Sequence, residues 1–244
     1  MRTYGVPWNG PLPIHPLSRL MSASMIKKGF VSILYNKLLE HVNVPTGNVI
    51  VWNTDLKMFQ STINWQRVWS NIPLTSRNHN NQLIHYKMIQ RYYLSPRKRC
   101  QLQISQSPLC SLCTEKPMGT YVHMMWECPE VLIFWRLVSK VLSQTIDITI
   151  PCLPHILLLN DDSSLNLTLS MKRVFLTGLT AAKKMLVIRW KPPHKLNIYQ
   201  WKQSFYELLK LEASSARAQR AHTENIQAYL IAAEKVCNLQ VLDT

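Results

Sequence analysis

Four side chains in this sequence have the types and spacing for joint chemistry: Cys110-x2-Cys113-x9-His123-x4-Cys128. Thiolate sulfur and imidazole nitrogen are the donors that zinc prefers, and zinc in structural sites takes four of them as a tetrahedron. A C-x2-C turn aims two thiolates at one point, and the H-x4-C pair brings the other two from a second short element. Pro108 and Gly119 suit the turns on either side. With all four positions filled by protein there is no place for a reactive water, so the implied cofactor is a structural Zn2+ and not a catalytic one. Cys100, ten residues upstream, is a competing fourth ligand, whereas Cys152 and Cys237 read as packing residues.

Catalytic chemistry is not expected. The acidic pair in LLLNDDSSLNL (157–167) resembles a polymerase metal-binding turn, but two-metal chemistry needs a further carboxylate from another strand, and none is evident. Asn-Asp-Asp-Ser-Ser is equally a good turn. His155 could pair with Asp161 or Asp162, yet no nucleophile elbow accompanies it. The six glycines do not cluster into a phosphate loop.

The elements that must carry the cysteine–histidine cluster read as helices. Apolar residues make up 47% of the chain, and only 6 Gly stand against 14 Pro, a balance that favours helices joined by proline-marked turns. Residues 1–22 are Pro-rich and extended, and apolar spacing predicts a helix over 24–41. Pro45, Gly47 and Asn48 then mark a loop. A helix over 54–70 starts with Thr54 as N-cap, and another over 78–94 puts Leu83, Tyr86, Ile89 and Tyr93 on its inner face. SPRKRC (95–100) reads as a basic turn. Helices follow over 130–144 and 169–190, separated by an ambiguous segment at 151–168, and residues 196–237 form a long helical pattern with few breakers. The fold expected is mainly α: an irregular helical assembly with a small zinc-binding Cys/His insertion (100–130). A helical region over 23–150 precedes a basic helical region over 151–244.

Charge narrows the partner. Lys and Arg total 28 against 13 acids, a net charge of +15, which is the footprint of a chain that meets phosphates. Lys87, Arg91, Arg97, Lys98 and Arg99 form one group of candidate contacts, and Lys183, Lys184, Arg189 and Lys191 a second. Tyr86 and Tyr93 read as core residues before stacking platforms. No apolar stretch reaches the length of a membrane span, and MRTYGVPWNGPLPIHP has no apolar signal region, so neither a membrane partner nor secretion is expected.

One family is similar. CSLC (110–113) with GTYVHMMWECPEVLIFW (119–135) resembles the cysteine-rich segment downstream of the reverse transcriptase in long interspersed element (LINE) retrotransposons. WNTDL (52–56) with Trp65 and Trp69, and QLIHYKMIQRYYLSPRKR (82–99), resemble the helices that precede that segment. LTGLTAAKKMLVIRWKPPHKLNIYQWKQSF (176–205) resembles the end of the same reading frame. The resemblance implies metal ligation by Cys110, Cys113, His123 and Cys128, and binding of RNA or target DNA during target-primed reverse transcription. Endonuclease and polymerase motifs are absent from this chain. The function expected is therefore non-catalytic binding of RNA or single-stranded DNA, inside the cell in the nucleus or a cytoplasmic ribonucleoprotein. The alternative is a helical protein-interaction module, with self-association through the C-terminal helices.

Overall fold

The computed structural model describes residues 47–56, 63–188 and 195–239. The Pro-rich segment 1–22 and the helix expected over 24–41 lie outside the described residues. Among those described there is no strand, only one isolated antiparallel bridge between Leu109 and Met118, so the mainly helical class is as expected. No described helix is long and apolar enough to cross a membrane.

Helix α1, Gly47–Leu56, begins earlier than the expected start at Thr54. Gly47 and Asn48 belong to the helix and not to a loop, and Thr54 lies inside it, its hydroxyl donating to the Ile50 carbonyl. Tertiary packing overrides the weak propensity of the glycine: Val49, Trp52 and Leu56 are buried on one face, and Trp52 Nε1 donates to the Ile89 carbonyl at 2.8 Å. Helix α2, Trp65–Asn71, is capped by Asn64, whose side chain accepts from the Arg67 amide.

Helix α3, His79–Ile89, is capped by Asn78. Its buried face is Asn81, His85, Met88 and Ile89, while Leu83 and Tyr86 are exposed at 43% and 45%. The expected inner face is thus turned around the axis. Apolar character misleads here because the buried face includes a histidine, His85, with a partner on a distant helix.

SPRKRC is not a turn but a short helix, α4, Pro96–Gln101. Ser95 accepts from the Lys98 amide, and Pro96 supplies the preset φ of a first helical residue. Pro129 starts α5, Pro129–Ile146, in the same way, and Asp147 ends it in the left-handed conformation (φ 57°). The ambiguous segment holds a single short helix, α6, Pro154–Leu157.

Helix α7, Leu169–Ile188, lies at the centre and touches α3 and α5, together with α8, Ile198–Ala218, and α9, Thr223–Asn238. It is buried nearly all round from Val174 to Lys183. Gly178 permits the closest crossing: a Cβ there would stand 2.5 Å from Leu142 Cδ2 and 3.0 Å from the Phe205 ring, and its carbonyl accepts from Trp201 Nε1. The long C-terminal pattern is two helices, broken where Arg220 takes φ 52° and Ala221 N closes back on the Ala216 carbonyl. Helix α9 folds onto α8, so Trp201, Phe205, Leu209, Tyr229, Ala233 and Val236 are buried within the chain. The described residues from Gly47 onward belong to one compact unit.

Asn160-Asp161-Asp162 is a buried junction. Asp161 accepts from the Asn64 amide at 2.7 Å and from the Ser163 amide. Asp162 is paired with Lys172 at 3.0 Å and Arg67 at 3.1 Å, and accepts from Asn71. Asp162 ties α2 to the start of α7, while Asp161 ties its own turn to the cap of α2. His155 is also buried, and its main-chain carbonyl accepts from the Asp161 amide.

Candidate metal centre

Cys110 and Cys113 sit in a tight hairpin. The Cys110 amide donates to the Pro117 carbonyl and the Gly119 amide to the Pro108 carbonyl, both at 2.8 Å, while Lys116 turns the chain at φ 44°. Between the cysteines the Leu112 amide points at Cys110 Sγ, 3.4 Å away, an N–H donor placed to favour a thiolate.

His123 and Cys128 come from one turn. In a regular α-helix two residues five apart point about 140° away from each other. Here the turn is widened: the Cys128 amide donates to the His123 carbonyl, five residues back, at 2.9 Å. The π-type turn returns both side chains to the same side, a distortion found at functional sites. Thr120 sets its entry by accepting from the His123 amide through its hydroxyl. Cys128 then caps α5, its carbonyl accepting from Val131 and Leu132.

The donor atoms of Cys110, Cys113, His123 and Cys128 all lie within 4.8 Å of one another, and all four residues are buried. Cys113 Sγ stands 3.6 Å from His123 Nε2. Tetrahedral zinc with Zn–S near 2.3 Å and Zn–N near 2.1 Å would place such donors about 3.6 Å apart. Burial, and the neighbouring Cys110 and Cys128, push the Cys113 thiol up to about 11, and burial lowers His123. The Cys113 thiol thus keeps its proton at neutral pH unless a bound cation replaces it. The cluster can hold a metal ion.

The surrounding helices fix this segment from three directions. Tyr121 donates its hydroxyl to the Met88 carbonyl on α3, and Trp135 of α5 donates to the Met125 carbonyl, each at 2.9 Å. Helix α4 lies against Gly119: the Arg97 amide donates to the Gly119 carbonyl, and a Cβ at Gly119 would meet the Pro96 ring at 2.8 Å. Gly119 therefore serves close packing as much as the turn its sequence suggests.

The structure sorts the candidate basic contacts. Arg97 and Lys98 are exposed on α4, and Lys184 is exposed on α7. Lys87 is half-buried over the Tyr92 ring, and Arg99 is half-buried. Arg91 is a packing residue: it pairs with Asp55 at 2.6 Å and lies 4.1 Å over the Trp52 ring. Lys183 is a correction. It is wholly buried, with Nζ on His85 and Asn160, and cannot reach a phosphate. Arg189 and Lys191 lie outside the described residues.

Sequence reading missed a groove of about 760 Å³ beside the metal hairpin, between α1, the turn from α3 to α4, and the widened turn. Asp55, Arg91, Tyr93, Arg97, Lys98 and Glu127 are among its walls. Burial, then the nearby Asp55 charge, raises the Glu127 carboxyl. No spacing rule joins residues 55, 93 and 127, which meet only through the fold. No known protein-family model matches the chain.

Proposed function

We propose that Cys110, Cys113, His123 and Cys128 hold a structural zinc ion, and that the chain binds RNA or single-stranded DNA without catalysis of its own. The observation that carries this reading is the seating of α4 on the metal hairpin through Gly119 and Pro96. A zinc ion that orders residues 110–128 would also fix the direction in which Arg97 and Lys98 face solvent. The net charge of +15 supplies the attraction to phosphate. The likeness of residues 110–113 and 119–135 to the cysteine-rich segment of LINE retrotransposon proteins, and of 82–99 to the helices before it, supports the same conclusion.

Purified full chain is expected to carry close to one zinc per molecule and to bind single-stranded oligonucleotides with an affinity that falls steeply as salt rises. Metal-free protein that is fully folded would overturn the zinc reading. Absence of binding at low salt would overturn the nucleic-acid reading.

A further inference from the structure

We propose that the groove beside the metal hairpin takes one unpaired nucleotide of an RNA or DNA strand, its phosphate toward Arg97 and Lys98 and its base edge toward Glu127. This rests on the nucleic-acid reading above and gives that reading a site. The groove, about 760 Å³, is within the size range of small-ligand pockets and has room for a nucleotide.

Its charges are arranged unequally. Arg91 and Asp55 pair with each other at 2.6 Å and largely cancel. Arg97 and Lys98 are exposed and pair with no carboxylate of the described residues. Glu127, also exposed, pairs with no described cation. Two cations and one carboxylate in the same groove do not suit a bare phosphate, because the carboxylate would repel it. A nucleotide satisfies all three, since its phosphate meets the cations while amino or imino hydrogens on the base donate to the carboxylate. Tyr93 lines the groove as an aromatic wall, set edge-on to Tyr92 at 6.0 Å, and an aromatic face stacks on any base.

Cytosine, adenine and guanine carry amino groups that suit a carboxylate, while uracil and thymine carry none and offer one imino hydrogen between two carbonyls. The groove therefore disfavours uracil and thymine.

The test uses full-length protein and labelled ten-residue homopolymers of C and U as RNA, and of C and T as DNA, titrated at several salt concentrations. The double variant R97A/K98A is expected to weaken all of them by about tenfold or more and to lower the salt slope by about 0.7, the share of one phosphate contact on a single strand. Glu127→Gln is expected to abolish the preference for C while leaving the salt slope alone. Tyr93→Leu, far in sequence from the metal ligands, is expected to weaken every oligomer without changing the slope. Zinc content and circular dichroism confirm that each variant is folded.

If wild type binds but R97A/K98A binds equally well, the groove is not the site and the nucleic-acid reading stands. If only the cation variant has an effect, recognition of the base is overturned. If no oligomer binds wild type at low salt, both readings fail together.

Discussion

Lys183 Nζ, from the middle of α7, lies 2.9 Å from His85 Nδ1 on α3, with both side chains wholly buried and Asn160 accepting from the same amine. Neither residue has a carboxylate partner among the described residues. Burial lowers His85 well below its ordinary 6.5, helped by Lys183, and lowers Lys183 well below 10.5. Asn160 is held at φ 63° to complete the arrangement.

That pair sets a pH dependence. On unfolding, each group returns to water and takes up a proton in the window between its lowered folded value and its ordinary one. The unfolded chain then holds more protons, so stability rises with pH. For His85 the stability present above about 6.5 is lost as pH falls toward its folded value. For Lys183 the cost of burial shrinks as pH rises toward 10.5. Urea midpoints at constant salt are expected to climb from pH 5 to about pH 8, below the range in which the raised Cys113 thiol acts in the opposite sense. Lys183→Met is expected to remove the alkaline part of the rise, and an unchanged profile in that variant would count against the assignment.

Asp162 carries two ion pairs and a hydrogen bond from Asn71 in a site where its side chain is 2% exposed. Asp162→Ala leaves Lys172 buried without a counter-charge. The expected loss is about 3–5 kcal/mol, the usual cost of breaking a buried pair from one side. Urea unfolding measures it, and a loss below about 1 kcal/mol would show the pair to be weak.

Gly119→Ala tests the contact between the metal hairpin and α4. The added methyl would stand 2.8 Å from the Pro96 ring and 3.2 Å from the Pro108 carbonyl. Relief by backbone shift costs about 1–3 kcal/mol, and because the shift moves the hairpin, zinc affinity is expected to fall as well. Competition with a chromophoric chelator reads the affinity directly. Pro96→Gly in the same protein, which removes both ring atoms that stand at 2.8 Å, is expected to restore part of it.

Cys100 separates the ligand set from its nearest rival. Its Sγ lies near the Gln106 carbonyl at 3.8 Å, and it is not among the four clustered donors. Cys100→Ser is expected to retain the metal, whereas Cys113→Ser is expected to lose it. With cobalt in place of zinc, the absorption bands of a tetrahedral thiolate site would persist in the first variant and collapse in the second. The reverse result would reassign the site.

The cysteine–histidine cluster was legible in the sequence because its four donors lie within nineteen residues and are of the types that zinc prefers. The proline-started helices were legible in part. Residues 130–144 and 169–190 correspond to α5 and α7, whereas the start of α1 and the break at Arg220 were not visible. Gly47 and the Ser/Ala-rich helix end carry only weak local signals, and the packing of Trp52 and Tyr229 outweighs them.

What the sequence by itself determined is a helical, strongly basic chain with a closed set of metal donors, since composition, period and short-range spacing are local properties. Only the tertiary structure decided which cations remain in water. Lys183 and Lys184 are neighbours in sequence, yet one is buried against His85 and the other is exposed. Successive helical residues point about 100° apart, and which of them meets solvent depends on what packs alongside. The groove of Asp55, Tyr93, Arg97 and Glu127 has the same origin: Asp55 and Glu127, 72 positions apart, share it because Trp52 of α1 packs on Tyr121 and α4 packs on Gly119.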